Sequence, residues 1–118
     1  MNGLRVLQGA LLIAALAACS PAPKDAGDAE IAAMAPLRQR YPDLVAGFEI
    51  RPATTLIVSL DLQNYIEADD SEIAAMKRSA LERWRTVWAG AHPHRHAVLE
   101  IRFIDFIGRK VASETTKI

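Results

Sequence analysis

The alternation of apolar and polar residues predicts strands in the second half of the chain. Apolar side chains occupy every second position of 54–63, which is typical of a strand with one buried face. A similar alternation covers 97–104, although its second face is only partly polar. Residues 105–109 contain a glycine and predict a turn, so 110–117 is expected to return as the second strand of a hairpin.

A long amphipathic helix is predicted between the first strand and the hairpin. Asp69 is a candidate N-cap with Glu72 three residues later, an arrangement that resembles a capping box. Gly90 is a candidate left-handed C-cap. The apolar residues at helical spacing form one stripe: Ile73, Met76, Ala80, Trp84, Val87 and Trp88.

A shorter helical region is predicted before the first strand. Asp28 can cap its start, Pro36 must begin a new turn or kink it, and Tyr41 followed by Pro42 should end it. No hairpin of strands is expected ahead of the long helix. The order α-β-α-β-β predicts an α+β fold in which a small three-stranded antiparallel sheet is packed by one main helix.

The first residues have the organisation of an export signal. Met1–Arg5 carries one positive charge, and Val6–Ala18 is almost entirely apolar. This apolar run is shorter than the ~20 residues that a membrane-spanning helix needs. Proline and small residues in 20–27 favour a flexible tether. We therefore expect a signal peptide at 1–18, a tether at 19–27 and one folded domain at 28–118.

The segment Leu16, Ala17, Ala18 and Cys19 resembles the lipobox of bacterial lipoprotein signal peptides. The resemblance implies cleavage before Cys19 and lipid attachment to its thiol, and Ser20 in place of aspartate implies sorting to the outer membrane, on its periplasmic face, rather than to the inner membrane. The alternative is an ordinary secretory signal with an incidental cysteine. Since the chain has one cysteine, a disulfide within the chain is impossible.

Length and charge limit the remaining possibilities. A chain of 118 residues fits one domain. Its 14 basic residues balance its 14 acidic residues, so no basic field favours nucleic acid as a partner. We expect no cofactor.

Three histidines offer the most reactive candidate chemistry. His92, His94 and His96 alternate, so an extended segment could direct them to one side and bind Zn²⁺ or Cu²⁺, or sense pH. Full chelation by one strand is unfavourable, because residues two apart are separated by roughly 6.6 Å along the strand. A solvated loop before the strand is the favoured interpretation, and a metal- or pH-sensing lipoprotein is the alternative function.

Two tryptophans offer a candidate binding surface. Trp84 and Trp88 lie one helical turn apart with Arg85 beside them, and could form an aromatic platform for a partner, a sugar or a cation. Their place on the apolar stripe favours packing in the core instead.

Other polar residues give weaker signals. Asp61, Glu67, Asp69 and Asp70 could hold Ca²⁺, but they lack EF-hand spacing, and helix capping in a solvated loop is favoured. No serine lies in a nucleophile motif, and no phosphate-binding glycine loop is present. We therefore expect a protein that is not an enzyme and has no catalytic residues; a small hydrolase is the least favoured hypothesis.

A second resemblance concerns the domain itself. Tyr41 and Pro42, a strand, the helical segment 80–85 and a final strand are similar to the carboxy-terminal domain of TonB. That family implies docking to an outer-membrane partner by strand pairing. The leading hypothesis is a membrane-anchored periplasmic lipoprotein that acts as a non-enzymatic binding or envelope-assembly module, with an envelope protein as partner.

Overall fold

Eight helices and strands follow one another in residues 26–118, the part of the chain that the computed structural model describes. They are α1 (Ala26–Ala33), α2 (Ala35–Arg40), β1 (Val45–Ile50), β2 (Thr55–Leu60), α3 (Leu62–Glu67), α4 (Asp70–Ala91), β3 (Val98–Ile104) and β4 (Lys110–Lys117). The expected signal peptide, Cys19 and the tether up to residue 25 lie outside the described residues.

The four strands form one mixed sheet in the order β1-β2-β3-β4. The outer pairs are antiparallel, whereas the central pair, β2 and β3, is parallel. The α+β class is therefore confirmed, and the expectation of three antiparallel strands is wrong. The physical reason is that α4 carries the chain back along the sheet between β2 and β3, which is the crossover that parallel neighbours require.

Strand β1 was absent from the expected order α-β-α-β-β. It forms a hairpin with β2 ahead of the long helix, contrary to prediction, and the pairing register shifts between Val45 and Gly47. A bulge places an extra residue in one strand and interrupts the alternation of its faces. The segment consequently lacks the regular pattern that revealed the other strands.

Helix α4 forms where its periodicity predicted and begins after the predicted N-cap residue, but its carboxy-terminal end differs. Asp69 is the N-cap residue, but its side chain makes no capping hydrogen bond. Gly90 lies inside the helix, which continues to Ala91, so the predicted glycine C-cap is wrong. The amide of His92 closes the helix by donating to the carbonyl of Trp88 at 2.9 Å.

The amino-terminal helical region divides as its sequence predicted. Pro36 lies at the start of α2, and Tyr41 follows its last residue. Helix α1 begins at Ala26, so the last two residues of the expected 19–27 tether belong to a helix. Asp28 lies in the first turn rather than at the N-cap.

One face of the sheet carries the hydrophobic core. Helices α1 and α2 pack against α4 and β1, and α4 contacts β3 and β4. The core residues with the least exposure come from the long helix, from strands β1 to β3 and from the segments beside α2: Met34, Leu44, Val45, Leu56, Val58, Met76, Ala80, Trp84, Leu99, Ile101 and Phe103. Because the three helices share this side, the alternate strand residues form a second, polar face.

The polar face is organised by ion pairs along its strands. Arg102 donates to Glu100 at 2.8 Å, and Arg51 donates to Glu49 at 2.7 Å. The hydrogen bond from Arg102 lowers the pKa of Glu100, against the opposing effect of burial. Ile57 lines one hollow with Arg51, Glu100 and Arg102 and is 5% exposed. Long charged side chains can cover apolar surface with their aliphatic stems while their charges reach water.

Because β2 and β3 are parallel, both strands begin at one end of the sheet and finish at the other, so the two ends carry different segments. At the turn end, the start of β1 pairs with Leu60, and the β3–β4 turn follows Ile104. At the histidine end, α4 finishes, β3 begins and Glu30 of α1 contacts His92. The chain therefore enters the described domain at the histidine end, about 20 Å of strand length from the turn end.

Within residues 26–118, none of the helices combines the length and apolar character needed to cross a bilayer.

Replacing Trp84 by alanine should strongly destabilise the domain. Its ring is 0% exposed, and its indole N–H donates to the carbonyl of Thr54 at 3.4 Å. We expect a loss of about 3–5 kcal/mol in the free energy of unfolding, measured by denaturant titration. The matched control is Arg85→Ala on the exposed side of α4, which should change that free energy by less than about 0.5 kcal/mol. Equal losses in the two variants would contradict this packing.

Candidate functional site

The β3–β4 turn is held by the buried carboxylate of Asp105. Its Oδ1 accepts hydrogen bonds from the amides of Ile107 at 3.1 Å and Arg109 at 2.9 Å, and its Oδ2 accepts from the Arg109 guanidinium at 2.8 Å. Gly108 has a φ of 86°, which glycine adopts without the steric cost of a side chain. The turn therefore has a defined shape.

The electrostatics of Asp105 favour its ionised form. Burial by itself raises the pKa of a carboxyl, but the hydrogen bonds from the Arg109 backbone and side chain and from the Ile107 amide outweigh it and lower the pKa of Asp105. The negative charge is thus part of the folded turn.

The ordered turn holds two large apolar side chains in solvent. Phe106 is 82% exposed and Ile107 is 60% exposed. The hydrogen bonds of the turn are made by Asp105, backbone amides and Arg109, and turns normally place small polar residues at such exposed positions. A cluster of exposed apolar residues on an ordered scaffold is typical of a contact site.

Helix α3 brings a third exposed apolar residue to the same end. Its N-cap Asp61 accepts a hydrogen bond from the amide of Asn64 at 3.0 Å. The Asn64 side chain donates to the carbonyl of Asp43 at 2.8 Å, which ties α3 to the segment before β1. This arrangement holds Ile66 with 72% of its surface exposed.

A groove of about 630 Å³ runs between α3 and the β3–β4 turn. We call it the turn-end groove, and it is lined by Ala46, Leu60, Asp61, Leu62, Gln63, Ile66, Glu67 and Phe106. Its lining is mainly apolar, and both of its charged residues are acidic. Its volume falls in the range of roughly 300–1,000 Å³ that is common for ligand sites. The groove is chemically suited to binding apolar groups.

The tryptophans predicted as a possible platform lie in the core. Trp84 is 0% exposed and Trp88 is 3% exposed, so the core-packing interpretation is confirmed, and the two rings do not form a surface with the exposed Arg85. Trp88 stacks on His92, with ring centroids 4.5 Å apart. The Trp88 indole N–H is buried without a hydrogen-bond partner in the described structure.

The three histidines lie in different environments. His92 Nε2 lies 2.8 Å from Oε1 of Glu30, a carboxylate that is 4% exposed. His96 Nδ1 lies 3.2 Å from the carbonyl oxygen of Ile118, and His94 is exposed with a φ of 64°. In the described part of the chain, no three histidine, cysteine or acidic side chains come together as a metal site. His92, His94 and His96, the residues of the alternative metal-site hypothesis, therefore do not converge on one ion.

The acidic residues considered for Ca²⁺ also have separate positions. Asp61 caps α3, Asp69 is the N-cap residue of α4 and Asp70 lies in the first turn of α4. Glu67 is the last residue of α3 and lines the turn-end groove. Asp61, Asp69 and Asp70 therefore lie at helix starts, as the helix-capping interpretation predicted, whereas Glu67 does not.

Sequence reasoning did not identify the turn-end groove. The available signal was the segment Asp105–Gly108, where phenylalanine and isoleucine occupy positions that a turn normally gives to polar residues. The contribution of Ile66 could not be seen, because α3 was not predicted and its position depends on contacts with the segment before β1.

Comparison with protein-family models, with curated proteins and with solved structures finds no match to this chain. The resemblances to lipoprotein signal peptides and to the TonB carboxy-terminal domain therefore stay predictions.

Asp105→Asn should reduce the acid sensitivity of the fold. A carboxyl whose pKa is lowered by folding contributes stability above its unfolded pKa of about 3.9, and that contribution disappears as pH falls through the folded value. We expect the variant to have a lower melting temperature at neutral pH and a smaller further decrease between about pH 5 and pH 2. Glu82→Gln, which removes an exposed carboxylate from α4, is the control. An Asp105→Asn curve parallel to wild type would contradict the assigned role.

His92→Ala should destabilise the junction of α1 and α4. The variant loses the hydrogen bond to the buried Glu30 carboxylate and the stacking contact with Trp88. Leaving a buried acceptor unsatisfied costs about 1–3 kcal/mol, measurable by denaturant titration. His94→Ala, on an exposed side chain of the same segment, should have little effect. Equal effects of the two substitutions would contradict a structural role specific to His92.

Proposed function

We propose that this protein is a lipid-anchored envelope lipoprotein whose folded domain is a non-enzymatic binding module. In this proposal the lipid is attached to Cys19, the anchor lies in the outer membrane, and the domain docks another envelope protein at the turn-end groove. The observation that carries the docking proposal is the exposed apolar set of Phe106, Ile107 and Ile66 on ordered backbone.

The position of the groove supports docking at a distance from the anchor. The chain enters the described domain at the histidine end, where Glu30 contacts His92. The groove lies at the other end of the sheet, beside the turn that follows β3. A domain connected to lipid through its amino terminus would thus have the groove available on the opposite end.

The strand edges are less favourable for docking than the groove. β1 and β4 form the edges of the sheet. β4 begins and ends with Lys110 and Lys117, and β1 is bulged between Val45 and Gly47. Charged lysines and bulges are features that limit pairing of an edge with another strand. Strand addition, which the TonB resemblance implies, is therefore a weaker candidate than groove docking.

The anchor is tested by mass spectrometry of the protein from its host. We expect the mature chain to begin at an acylated Cys19, and Cys19→Ser to retain residues 1–18 without lipid. Acyl chains contribute about 0.8 kcal/mol per buried CH₂, so the substitution should also remove the protein from the outer-membrane fraction. An unacylated wild-type protein that retains residues 1–18 would contradict the proposal.

The docking surface is tested by photo-crosslinking in intact cells. A photoreactive residue at position 106 or 66 should give an adduct of one defined mass. The same residue at position 98, which holds an exposed valine at the histidine end, should give none. An adduct at position 85 and none at 106 would place docking on the outer face of α4 instead.

A further inference from the structure

We infer that the turn-end groove binds a peptide segment in which apolar side chains stand next to lysine or arginine. This inference rests on the proposed docking function and adds the chemistry of the partner. It follows from the combination of an apolar lining with an acidic rim at one end of the sheet.

The rim of the groove is negative. Asp61 and Glu67 line the groove itself. A smaller hollow of about 170 Å³ continues past Glu67 and adds Asp43 and Glu72 to the same end. All four carboxylates belong to exposed residues. They can therefore attract a positively charged ligand as it approaches through water and pair with it at close contact.

Two cations near this end have contacts of their own. The Arg109 guanidinium donates to the buried Asp105 at 2.8 Å. The Lys77 ammonium lies 5.7 Å from the centre of the Tyr65 ring. Within residues 26–118, no lysine or arginine lines the groove. The carboxylates of Asp61 and Glu67 at the groove therefore favour a ligand that brings positive charge.

The same charges disfavour the other apolar occupants. An anionic bilayer surface attracts basic segments and repels acidic ones. A symmetric dimer through this end would place the same patch on both copies, so the carboxylates of one copy would face those of the other. A peptide with apolar and basic side chains can place the apolar ones against the lining of the groove and the basic ones beside the carboxylates of its rim.

The two parts of the surface should contribute differently to binding. Desolvation of apolar side chains against Phe106, Ile66 and Leu62 supplies affinity, because buried apolar anchors dominate interface energetics. The carboxylates at Asp61 and Glu67 supply orientation and faster association with basic partners, effects that salt weakens.

Binding is tested with defined peptides. The protein purified from its host is reconstituted in zwitterionic phosphatidylcholine vesicles, and protein-free vesicles provide the blank. The probe is a short fluorescent peptide of leucine and lysine, followed by fluorescence anisotropy at several salt concentrations. We expect binding that weakens with salt. Replacing lysine by glutamate, or leucine by serine, should weaken it about tenfold or more, which corresponds to about 1.4 kcal/mol.

Variants separate the apolar and acidic contributions. Ile66→Ser combined with Phe106→Ala should weaken binding of the leucine–lysine peptide about tenfold or more. The control Val98→Ser, which removes an exposed apolar side chain at the histidine end, should leave affinity unchanged. Both apolar substitutions are at exposed positions, so the fold should be retained.

The acidic pair is tested by Asp61→Asn combined with Glu67→Gln. Asparagine caps helices as well as aspartate does, so α3 should be retained. We expect weaker binding and a flatter salt dependence. Glu82→Gln is the control that removes one negative charge from α4, away from the groove.

Four results would overturn the inference. The first is equal binding of the lysine and glutamate peptides. Two others would indicate a different occupant: recruitment of the wild type but not of Phe106→Ala to phosphatidylglycerol vesicles, or self-association that Phe106→Ala abolishes. The fourth is tighter binding of a peptide of residues 1–18 than of the leucine–lysine peptide. Crosslinking at position 106 in cells, together with wild-type behaviour of the charge variants, would retain docking and reject a basic partner. Absence of both crosslinking and peptide binding would reject the two proposals together.

Discussion

The structure depends on the burial of one stripe of α4 against the sheet. Trp84, Met76 and Ala80 have no exposed surface, and Trp84 is the largest of the fully buried side chains. The helix that carries this stripe also connects β2 to β3, so these strands must lie parallel and end at the same edge. Because α3 follows β2 and the β3–β4 turn follows β3, the same packing brings Ile66 and Phe106 to one groove.

Regular periodicity made most of the fold predictable. The stripe of α4, the alternation in β2 and β3, and the glycine-containing turn before β4 each depend on local pattern, and each element formed where it was predicted. The strand predicted over 54–63 ends early, at Leu60, because Leu62 and Gln63 begin α3. The bulged β1 and the six-residue α3 did not have such a pattern. The expectation of an antiparallel sheet was wrong because the direction in which strands pair is set by long-range packing. The alternation within a single strand does not encode that direction.

Residue type alone was a poor guide to the candidate site. Imidazoles at alternate positions suggested a metal, yet His92 pairs with Glu30 and His96 lies near Ile118, so their contacts diverge. The aromatic pair on α4 was more conspicuous in sequence than Phe106, but burial assigns it to the core. The exposed turn forms a groove only together with residues that are distant in sequence. Asp61, Ile66 and Glu67 line the other side of that groove.

Occupancy of the groove in the native envelope is the central claim, and oxidative footprinting measures it most directly. Hydroxyl radicals would label side chains in intact cells and in the purified protein, and mass spectrometry would compare the two. We expect Phe106 and Ile66 to be protected in cells and labelled after purification, while Val98, exposed at the histidine end, is labelled in both. Equal labelling of Phe106 in cells and in the purified protein would contradict a docked partner.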